Sequence, residues 1–312
     1  MKQQSTKHRQ GADHLQTLRE SLAKCVSRHT DGVEQLPTAI RDLTFYRREA
    51  PTQPTNCMLE PSVAFVIQGA KRVLLGDDTY PHDMGRFLIT SLDLPTMMQI
   101  VDASQEKPYL GLALKLDLRV MAELMEQSGL APSRDQPTCR GMVLGEAALP
   151  LLDAFKRLVE LLDEPDTIPV LAPLIQREIF FRLLVSDQGM RLRQIVVMGS
   201  QSQRIAKAIN WLKLHYTHPL SIDELAASVQ MSASSFHHHF RELTAMTPLQ
   251  FQKWLRLNEA RWLMFSEKID ASTAAFHVGY ESPTQFSREY SRLFGAPPLR
   301  DIKRMNQASV RQ

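Results

Sequence analysis

The chain has 312 residues, of which 43% are hydrophobic, and a formal net charge of +3. This length suits two domains, and the composition is that of a globular protein rather than a disordered or fibrous one. No apolar run approaches the roughly 20 residues that span a bilayer, and the polar start MKQQSTKHRQGADHLQ lacks the apolar segment of a secretory signal. We therefore expect a cytoplasmic protein with no membrane partner.

The sequence offers no motif for catalysis. Cys25, Cys57 and Cys139 lie far apart and form no CxxC pair, which indicates three reduced thiols rather than a disulfide framework or a zinc knuckle. The nucleophile elbow, the Walker loop and the dinucleotide-binding glycine pattern do not occur in the sequence. We predict neither an enzyme nor a bound cofactor.

The sequence pattern of the first part of the chain is typical of a β domain. Residues from about 12 to 29 can form a short amphipathic helix, and short apolar runs follow between about Leu43 and Leu118. The runs are SVAFVIQ (62–68), KRVLLG (71–76), RFLITS (86–91), MMQIVD (97–102) and YLGLALKLDL (109–118). Turn residues separate them, so we predict a small barrel or sandwich.

A small barrel can hold one ligand in its mouth. Five apolar side chains of the β region could line such a pocket: Phe65, Ile67, Phe87, Ile89 and Met97. Ordinary core packing is the competing interpretation for each of them, and their composition favours it.

A helical segment follows from about Val120. VMAELMEQSG ends in Gly129, a suitable C-cap, and two further stretches carry apolar residues at three- and four-residue spacing. One of them has a broad apolar stripe formed by Leu151, Leu152, Phe155, Leu158 and Leu161. Packing within the chain and dimerisation are both consistent with this stripe, because a helical stripe does not identify its partner.

The last third of the chain is basic. From Gln201 onward there are 14 Lys and Arg against 9 Asp and Glu, a weak indication of an anionic partner. SQRIAKAINWLKLHYTHP reads as an amphipathic helix, and Ser221 with Glu224 has the spacing of a capping box at the start of the next one.

This region contains an internal repeat. SSFHHHFRELTAMTP (234–248) matches TQFSREYSRLFGAPP (284–298) at an offset of 50 residues, and upstream positions match at an offset of 49. Phe236 corresponds to Phe286, Phe240 to Tyr290, and Leu243 to Leu293. Each copy reads as a helix, a short turn and a second helix, which is the helix-turn-helix unit. A helix over roughly residues 248–266 joins the copies.

Helical geometry assigns the faces of the second helix in each copy, because each residue advances the direction by about 100°. Phe236, Phe240 and Leu243 form a buried stripe, as do Phe286, Tyr290 and Leu293. Outward-facing residues are Ser234, His237, His238 and Arg241 in the first copy, and Thr284, Ser287, Arg288 and Ser291 in the second. Hydroxyl, imidazole and guanidinium groups suit base edges and phosphates.

Three consecutive histidines do not predict a metal site. Neighbouring helical residues diverge too far to share one ion, and no pair of histidines has the i, i+4 spacing of helical zinc motifs. We expect His239 to border the buried stripe. His237 and His238 either face DNA or are simply solvated.

These residues strongly resemble the AraC/XylS family of bacterial transcription regulators. The resemblance rests on LAASVQMSASSFHHHFRELTAMTPLQFQKWLRLNEARWLM and AAFHVGYESPTQFSREYSRLFGAPPLRD, and it extends to EPSVAFVIQGAKRVLLGDDTY, LITSLDLPT and KPYLGLALKLDL upstream. It covers about 260 residues. The upstream part is similar to the N-terminal domain of one branch of the family.

The resemblance implies an α+β protein with an N-terminal cupin-like β-barrel, flanking helices and a C-terminal all-α domain with two helix-turn-helix motifs. The expected segments are a β-rich, effector-binding domain (1–120), a helical dimerisation or linker layer (121–198), the DNA-binding domain (199–304) and a tail (305–312). Metal-dependent cupin enzymes use an HxH motif, but the β region contains only His82. A metalloenzyme is therefore not expected.

Carried over by position, each recognition helix would enter a major groove of double-stranded DNA. The expected DNA-binding residues are Ser232, Ser234, His237, His238, Arg241, Ser282, Pro283, Thr284, Gln285, Ser287, Arg288 and Arg292. Among them, Arg241 and Arg292 would contact phosphates. Ala245 stands where the family often has glycine, as Gly295 does in the second copy, so the first helix is expected to end differently.

The function expected from the resemblance is transcription regulation in the bacterial nucleoid, with activation favoured. A small organic effector in the N-terminal domain, contact with RNA polymerase and a homodimer are further expectations. The alternative is a DNA-binding repressor or architectural protein that works without an effector or under the control of a protein partner.

Overall fold

The computed structural model describes residues 2–131, 140–197 and 199–309. Cys139 and the end of the expected tail, 310–312, lie outside the described residues. The chain forms two compact units, Met1–Gln203 and Arg204–Gln312. The expected β-rich segment and the helical layer belong together to the first unit, while the second unit contains the helix-turn-helix repeat. No helix in the described part of the chain combines the length and the apolar character that a membrane crossing requires.

The strands of the first unit form two antiparallel sheets. Their bounds are β1 Gln35–Pro37, β2 Leu43–Arg48, β3 Thr55–Leu59, β4 Ser62–Gln68, β5 Ala70–Leu75, β6 Asp78–His82, β7 Arg86–Thr90, β8 Leu94–Asp102, β9 Tyr109–Lys115 and β10 Met142–Glu146. The strand order is β1-β2-β9-β4-β7-β10 in one sheet and β3-β8-β5-β6 in the other. All five runs predicted from the sequence are inner strands. The edge strands and the inner strand β2 were not among the predicted runs, because they are short and partly polar.

Helices of the first unit cover one face of the six-stranded sheet. Their bounds are α1 Lys2–His29, α2 Leu118–Ser128, α3 Leu149–Glu160, α4 Ile168–Leu184 and α5 Gly189–Val196. Gly129 has a φ of 62° and ends α2, as predicted. The ring of Phe65 on β4 lies 4.7 Å from that of Phe155 on α3 and 5.9 Å from that of Phe87 on β7. This apolar layer is the core of the unit.

The apolar stripe around α3 packs within the chain. Leu151, Leu152, Phe155 and Leu158 are at most 3% exposed, and Leu161 is 8% exposed. They belong to the same core cluster as the sheet residues. Of the two interpretations of this stripe, internal packing therefore holds, and a second copy of the chain would need another surface.

All regular secondary structure in the described part of the second unit is α-helical. Its helices are α6 Gln201–His215, α7 Ile222–Ser228, α8 Ala233–Thr244, α9 Pro248–Ser266, α10 Ala271–His277, α11 Pro283–Phe294 and α12 Pro298–Ser309. The two helix-turn-helix motifs are α7–α8 and α10–α11, and α9 joins them as predicted. Ser221 caps α7 by accepting from the Glu224 N–H, whereas the reciprocal capping box is complete at Thr247 and Gln250.

Candidate DNA-binding surface and ligand cavity

The first recognition helix, α8, is held from below by aromatic side chains. Phe236 and Phe240 are fully buried, and the Phe240 ring meets that of Phe251 on α9 edge to face at 5.6 Å. The Ser232 hydroxyl accepts a hydrogen bond from the Ser235 N–H at 3.3 Å and starts the helix. With the apolar stripe fixed in this way, the polar arc of α8 must face outward.

The second recognition helix, α11, is anchored by a polar contact as well as by packing. Phe286 and Tyr290 are fully buried, and the Tyr290 hydroxyl donates to Asp301 of α12 at 2.7 Å. Two guanidinium nitrogens of Arg261 donate to the same carboxylate at 2.7 and 3.1 Å. Burial is the main cause that raises the pKa of Tyr290, followed by Asp301. Leu293, predicted to be buried, is only partly so.

Most residues predicted to contact DNA are exposed. The exposed ones are Ser232, Ser234, His237, His238, Arg241, Thr284, Gln285, Arg288 and Arg292, while Ser282, Pro283 and Ser287 are partly buried. Ser282 caps α11 as Ser232 caps α8, accepting from the Gln285 N–H at 3.3 Å. The Gln285 side chain also donates to Glu289 at 3.2 Å. The predicted residues therefore form one polar face on each recognition helix.

The two faces differ in their charge contacts. On α8, His238 Nε2 lies 3.6 Å from a Glu242 carboxylate oxygen, and His239 Nδ1 lies 3.3 Å from the same oxygen. On α11, the side chains of Arg288 and Arg292 have no ion pair or hydrogen bond within the part of the chain that the structure describes. The second helix thus presents two unpaired guanidinium groups.

The histidine cluster needs a correction. No two histidines have the i, i+4 spacing, but His238 and Glu242 do, and the sequence prediction overlooked this mixed pair. One ligand atom each from His238, His239 and Glu242 lies within 4.8 Å of the others, so these three side chains could approach one ion. A closed zinc site requires four ligands, and this cluster supplies three. His239 is half-buried, as expected.

Ala245 ends α8 in the same way that Gly295 ends α11. The φ angles are 60° and 73°, both left-handed, and each N–H bonds to the carbonyl four residues earlier at 2.9 Å. The expectation of a different helix end was therefore wrong. The backbone hydrogen bond imposes the left-handed conformation even on a residue with a Cβ, at a cost of about 1 kcal/mol.

The first unit contains a cavity of about 540 Å³ lined by strands of both sheets. Its apolar lining includes Ala64, Leu88, Met98, Ile100 and Ala113. Its polar lining includes Tyr46, Arg48, Cys57, Glu60, Lys71, Thr90, Tyr109 and Lys115. This volume is within the range of pockets that bind small organic molecules.

The residues predicted to line a pocket lie elsewhere. Phe65, Ile67, Phe87 and Ile89 are at most 3% exposed and belong to the core beneath the helices. Met97 is 39% exposed, and its neighbour Met98 lines the cavity instead. Side chains alternate between the faces of a strand, and the helices cover the face with the bulkier residues. The smaller and more polar face therefore forms the cavity.

Lys71 of β5 is a cavity residue that was not predicted from the sequence. It is only 8% exposed, and burial lowers the pKa of its ammonium group to about 8. Burial also raises the pKa of the neighbouring Cys57 thiol, whose sulfur lies 3.2 Å from the Thr96 hydroxyl. Lys71 shares its strand face with the buried Val73 and Leu75, which is the sequence signal that could have revealed it.

Two family models match most of the chain. Residues 39–191 match the AraC-type transcriptional regulator N-terminus, and residues 225–304 match a helix-turn-helix domain. The first match covers strands β2 to β10 and the helices α2 to α4. The second spans both recognition helices.

Curated relatives are regulators. The match to the HTH-type transcriptional activator RhaS of Escherichia coli has 25% identity over 154 residues, 49% of this chain and 54% of that protein. HTH-type transcriptional regulator CdhR of Pseudomonas aeruginosa is 29% identical over 120 residues, 38% of this chain and 36% of that protein. The chain thus spans about half the length, or less, of the curated relatives it matches.

Solved structures show a related fold. ToxT of Vibrio cholerae aligns with TM-scores of 0.51 and 0.54 in two crystal structures, at 8% and 9% sequence identity. Each alignment covers 83% of this chain, and 94% or 97% of the ToxT chain. The family models, the relatives and the double helix-turn-helix repeat agree, and the chain belongs to the AraC family of DNA-binding transcriptional regulators.

Proposed function

We propose that this protein is a sequence-specific transcription activator whose DNA binding is controlled by a small organic molecule in the cavity of the first unit. The observation that carries the proposal is the coexistence of two exposed polar recognition faces with a cavity of about 540 Å³. One ToxT crystal structure contains a bound unsaturated fatty acid, and another contains a naphthalenyl butenoic acid. These bound acids support a small-molecule effector in a protein of this fold.

In this proposal the faces of α8 and α11 read base edges in adjacent major grooves, about 34 Å apart. Ser234, His237 and His238 would contact bases from α8. The corresponding residues of α11 are Pro283, Thr284, Gln285, Ser287 and Arg288. Arg241 and Arg292, one near each helix C-terminus, would contact phosphates, which position the protein without reading sequence.

Selection from random duplexes by the full chain tests the DNA-binding part. We expect one enriched motif with two half-sites about one helical turn apart. Arg288→Ala should lose preference for that motif, whereas Arg300→Ala, which removes an exposed charge on α12, should keep it. Enrichment of no motif by the wild-type chain would contradict sequence-specific binding.

Two measurements test the effector part. The first is thermal unfolding of the full chain with each compound, and the second is DNA binding by the folded chain in the presence of that compound. A compound that binds only the folded state raises its stability by about 2.7 kcal/mol at a hundredfold excess over its dissociation constant. An effector must also change the affinity for the selected duplex. A compound that stabilises the chain and leaves DNA affinity unchanged would favour the alternative of a partner-controlled regulator.

Activation and RNA polymerase contact belong to the same proposal. A promoter reporter with the selected motif should show higher transcription when the effector is present. A fall in transcription would identify a repressor instead, and it would remove the reason to propose a polymerase contact.

A homodimer is proposed through α4 rather than through the buried stripe of α3. Val170, Leu174, Phe181 and Val185 fall on one face at 100° per residue and are 67%, 61%, 37% and 49% exposed. A row of exposed apolar side chains is typical of a protein interface. Sedimentation of wild type and Leu174→Glu tests it. A dimer that survives the substitution unchanged would require another surface.

A further inference from the structure

Lys71 is a buried cation with no hydrogen-bond or ion-pair partner among residues 2–131, 140–197 and 199–309. It lies on β5, opposite Ile100 on one neighbouring strand and His82 on the other. Within the residues that the structure describes, Lys71 makes no hydrogen bond and no ion pair. Burying an unpaired ammonium group costs considerable free energy, so its presence in a cavity requires an explanation.

Other charged groups of the cavity are already matched. Glu60 pairs with Lys115, Asp42 lies 3.4 Å from Arg41, and Arg48 lies 3.1 Å from Glu34. Lys71 is therefore the charge that an incoming ligand would neutralise.

Two phenols, the buried Tyr109 and the partly buried Tyr46, add hydrogen-bond donors to the same cavity. Burial raises the pKa of Tyr46 and that of Tyr109, so both hydroxyls keep their protons at neutral pH. A Cβ placed on Gly111 would lie 2.6 Å from the Tyr109 hydroxyl, which shows that glycine at this position leaves room for the phenol. One ammonium and two phenols suit an acceptor group that carries one negative charge.

We propose that the Lys71 ammonium binds the carboxylate of a small apolar monocarboxylic acid whose body packs on Leu88, Met98 and Ile100. This inference rests on the proposed effector control and specifies the chemical class of the effector. A sugar carries no charge, so it would leave the Lys71 ammonium in the cavity without a counter-charge. A carboxylate forms a charge-assisted hydrogen bond with Lys71 and leaves the apolar walls to the rest of the ligand.

Matched acids and amides provide the first test. Benzoate, cinnamate and octanoate are compared with benzamide, cinnamamide and octanamide in thermal unfolding of the full chain. At least one acid is expected to raise the melting temperature saturably, and its amide is expected to do so far less. An amide that acts as strongly as its acid, or acids that have no effect at any concentration, would overturn the assignment.

Two lysine substitutions locate the contact. Lys71→Met should abolish the response to the acid, because it removes the charge and keeps an apolar chain of similar length. Lys115→Met is the matched control, since Lys115 also lines the cavity but is 53% exposed and paired with Glu60. It should keep the response. An acid response that survives Lys71→Met would overturn the role of Lys71.

The ligand-free stability of Lys71→Met distinguishes a binding role from a structural one. Removal of an unpaired buried charge should leave the melting temperature unchanged or raise it. A marked fall in the absence of any ligand would mean that Lys71 supports the fold, and it would count against the proposal even if the acid response were lost.

The pH dependence of acid binding isolates Lys71 from its neighbours. Burial, and secondarily the positive charge of Lys71, lowers the pKa of His82 to about 3. Burial raises the pKa of the Cys57 thiol. Tyr46 and Tyr109 also have raised pKa values, so Lys71 is the facing group that loses charge near pH 8. Acid affinity should be constant from about pH 6 to 7 and about tenfold weaker at pH 9. Affinity that is independent of pH over this range would contradict the proposal.

Failure of the inference is separable from failure of the proposed function. A neutral compound that binds and alters affinity for the selected duplex, with Lys71→Met unaffected, overturns the acid proposal and keeps effector control. An acid that binds through Lys71 without any change in DNA affinity keeps the cavity assignment and overturns effector control.

Discussion

The two helix-turn-helix motifs place side chains at equivalent positions but use different chemistry there. At an offset of 50 residues, Phe240 and Phe251 of the first motif correspond to Tyr290 and Asp301 of the second. The first pair meets edge to face with ring centroids 5.6 Å apart, and the second is a 2.7 Å hydrogen bond that Arg261 extends. Both motifs therefore have a contact between the recognition helix and the helix that follows it at the same place in the repeat. This contact is apolar in the first motif and polar in the second.

The same offset shows that the exposed faces of the two recognition helices differ in charge. His238 and Glu242 correspond to Arg288 and Arg292. The first recognition helix carries one Arg and one Glu, and the second carries two Arg and one Glu. Phosphate attraction depends on such unpaired cations. The second motif should therefore contribute more binding free energy than the first.

The turns show a third difference. Gln230 and Gly279, at an offset of 49, are both left-handed, with φ of 58° and 86°. Their carbonyl oxygens accept from Arg204 at 2.7 Å and from Arg256 at 2.9 Å. Only the second turn is crowded, because a Cβ on Gly279 would lie 2.1 Å from the Thr217 carbonyl oxygen.

We expect the largest change in unfolding free energy from a substitution that breaks the Tyr290–Asp301 pair of the second motif. Asp301→Ala leaves Arg261 and the Tyr290 hydroxyl without their acceptor and should cost about 3–5 kcal/mol of unfolding free energy. Phe251→Ala, at the equivalent position, should cost a similar amount through a cavity. Urea unfolding of the full chain measures both.

Conversion of one pair into the other sharpens this test. The double variant Tyr290→Phe, Asp301→Phe recreates the apolar pair of the first motif and should be more stable than Asp301→Ala. In the unsubstituted chain Arg261 also lies over the Phe294 ring, 4.4 Å from the centroid, and we expect the double variant to keep this contact. A double variant no more stable than Asp301→Ala would show that the two supports are not interchangeable.

The next largest difference between the motifs is expected at their turns, where Gly279 is crowded and Gln230 already carries a Cβ. Gly279→Ala combines a left-handed cost of about 1–2 kcal/mol with a backbone clash, so we expect a loss above 2 kcal/mol. Gln230→Ala keeps a Cβ where one already exists and should change the unfolding free energy by less than about 0.5 kcal/mol. Equal losses at the two positions would contradict the difference in crowding.

The recognition faces should differ in DNA binding. Arg288→Ala should cost about 1–3 kcal/mol on a duplex selected by the wild-type chain. His238→Ala should cost less, because the imidazole offers a base edge one hydrogen bond and already lies 3.6 Å from Glu242. Fluorescence anisotropy with the labelled duplex measures both, and Arg300→Ala controls for loss of charge. A greater loss for His238→Ala would reverse the assigned order.

Much of this comparison could be predicted from the sequence. The 50-residue offset and the 3.6-residue helical period together suffice to identify the buried and outward faces of α8 and α11. The cavity could not be predicted in the same way. Alternation shows that a strand such as β4 has two faces, but not which face the helices cover. Bulky Phe65 suggested a pocket wall, whereas Ala64 provides it. Lys71 was missed because a lysine is ordinarily exposed.

The smallest expected effect concerns the ends of the two recognition helices. Ala245 holds a left-handed φ of 60°, whereas Gly295 holds 73° with open space around its missing Cβ. Ala245→Gly should therefore stabilise the chain by about 1 kcal/mol, and Gly295→Ala should destabilise it by a similar amount. Both values come from urea unfolding, and DNA affinity should stay unchanged, because the N–H bonds to Arg241 and Ser291 are kept in the two variants. Stabilisation by both substitutions, or by neither, would show that packing rather than backbone conformation determines how each helix ends.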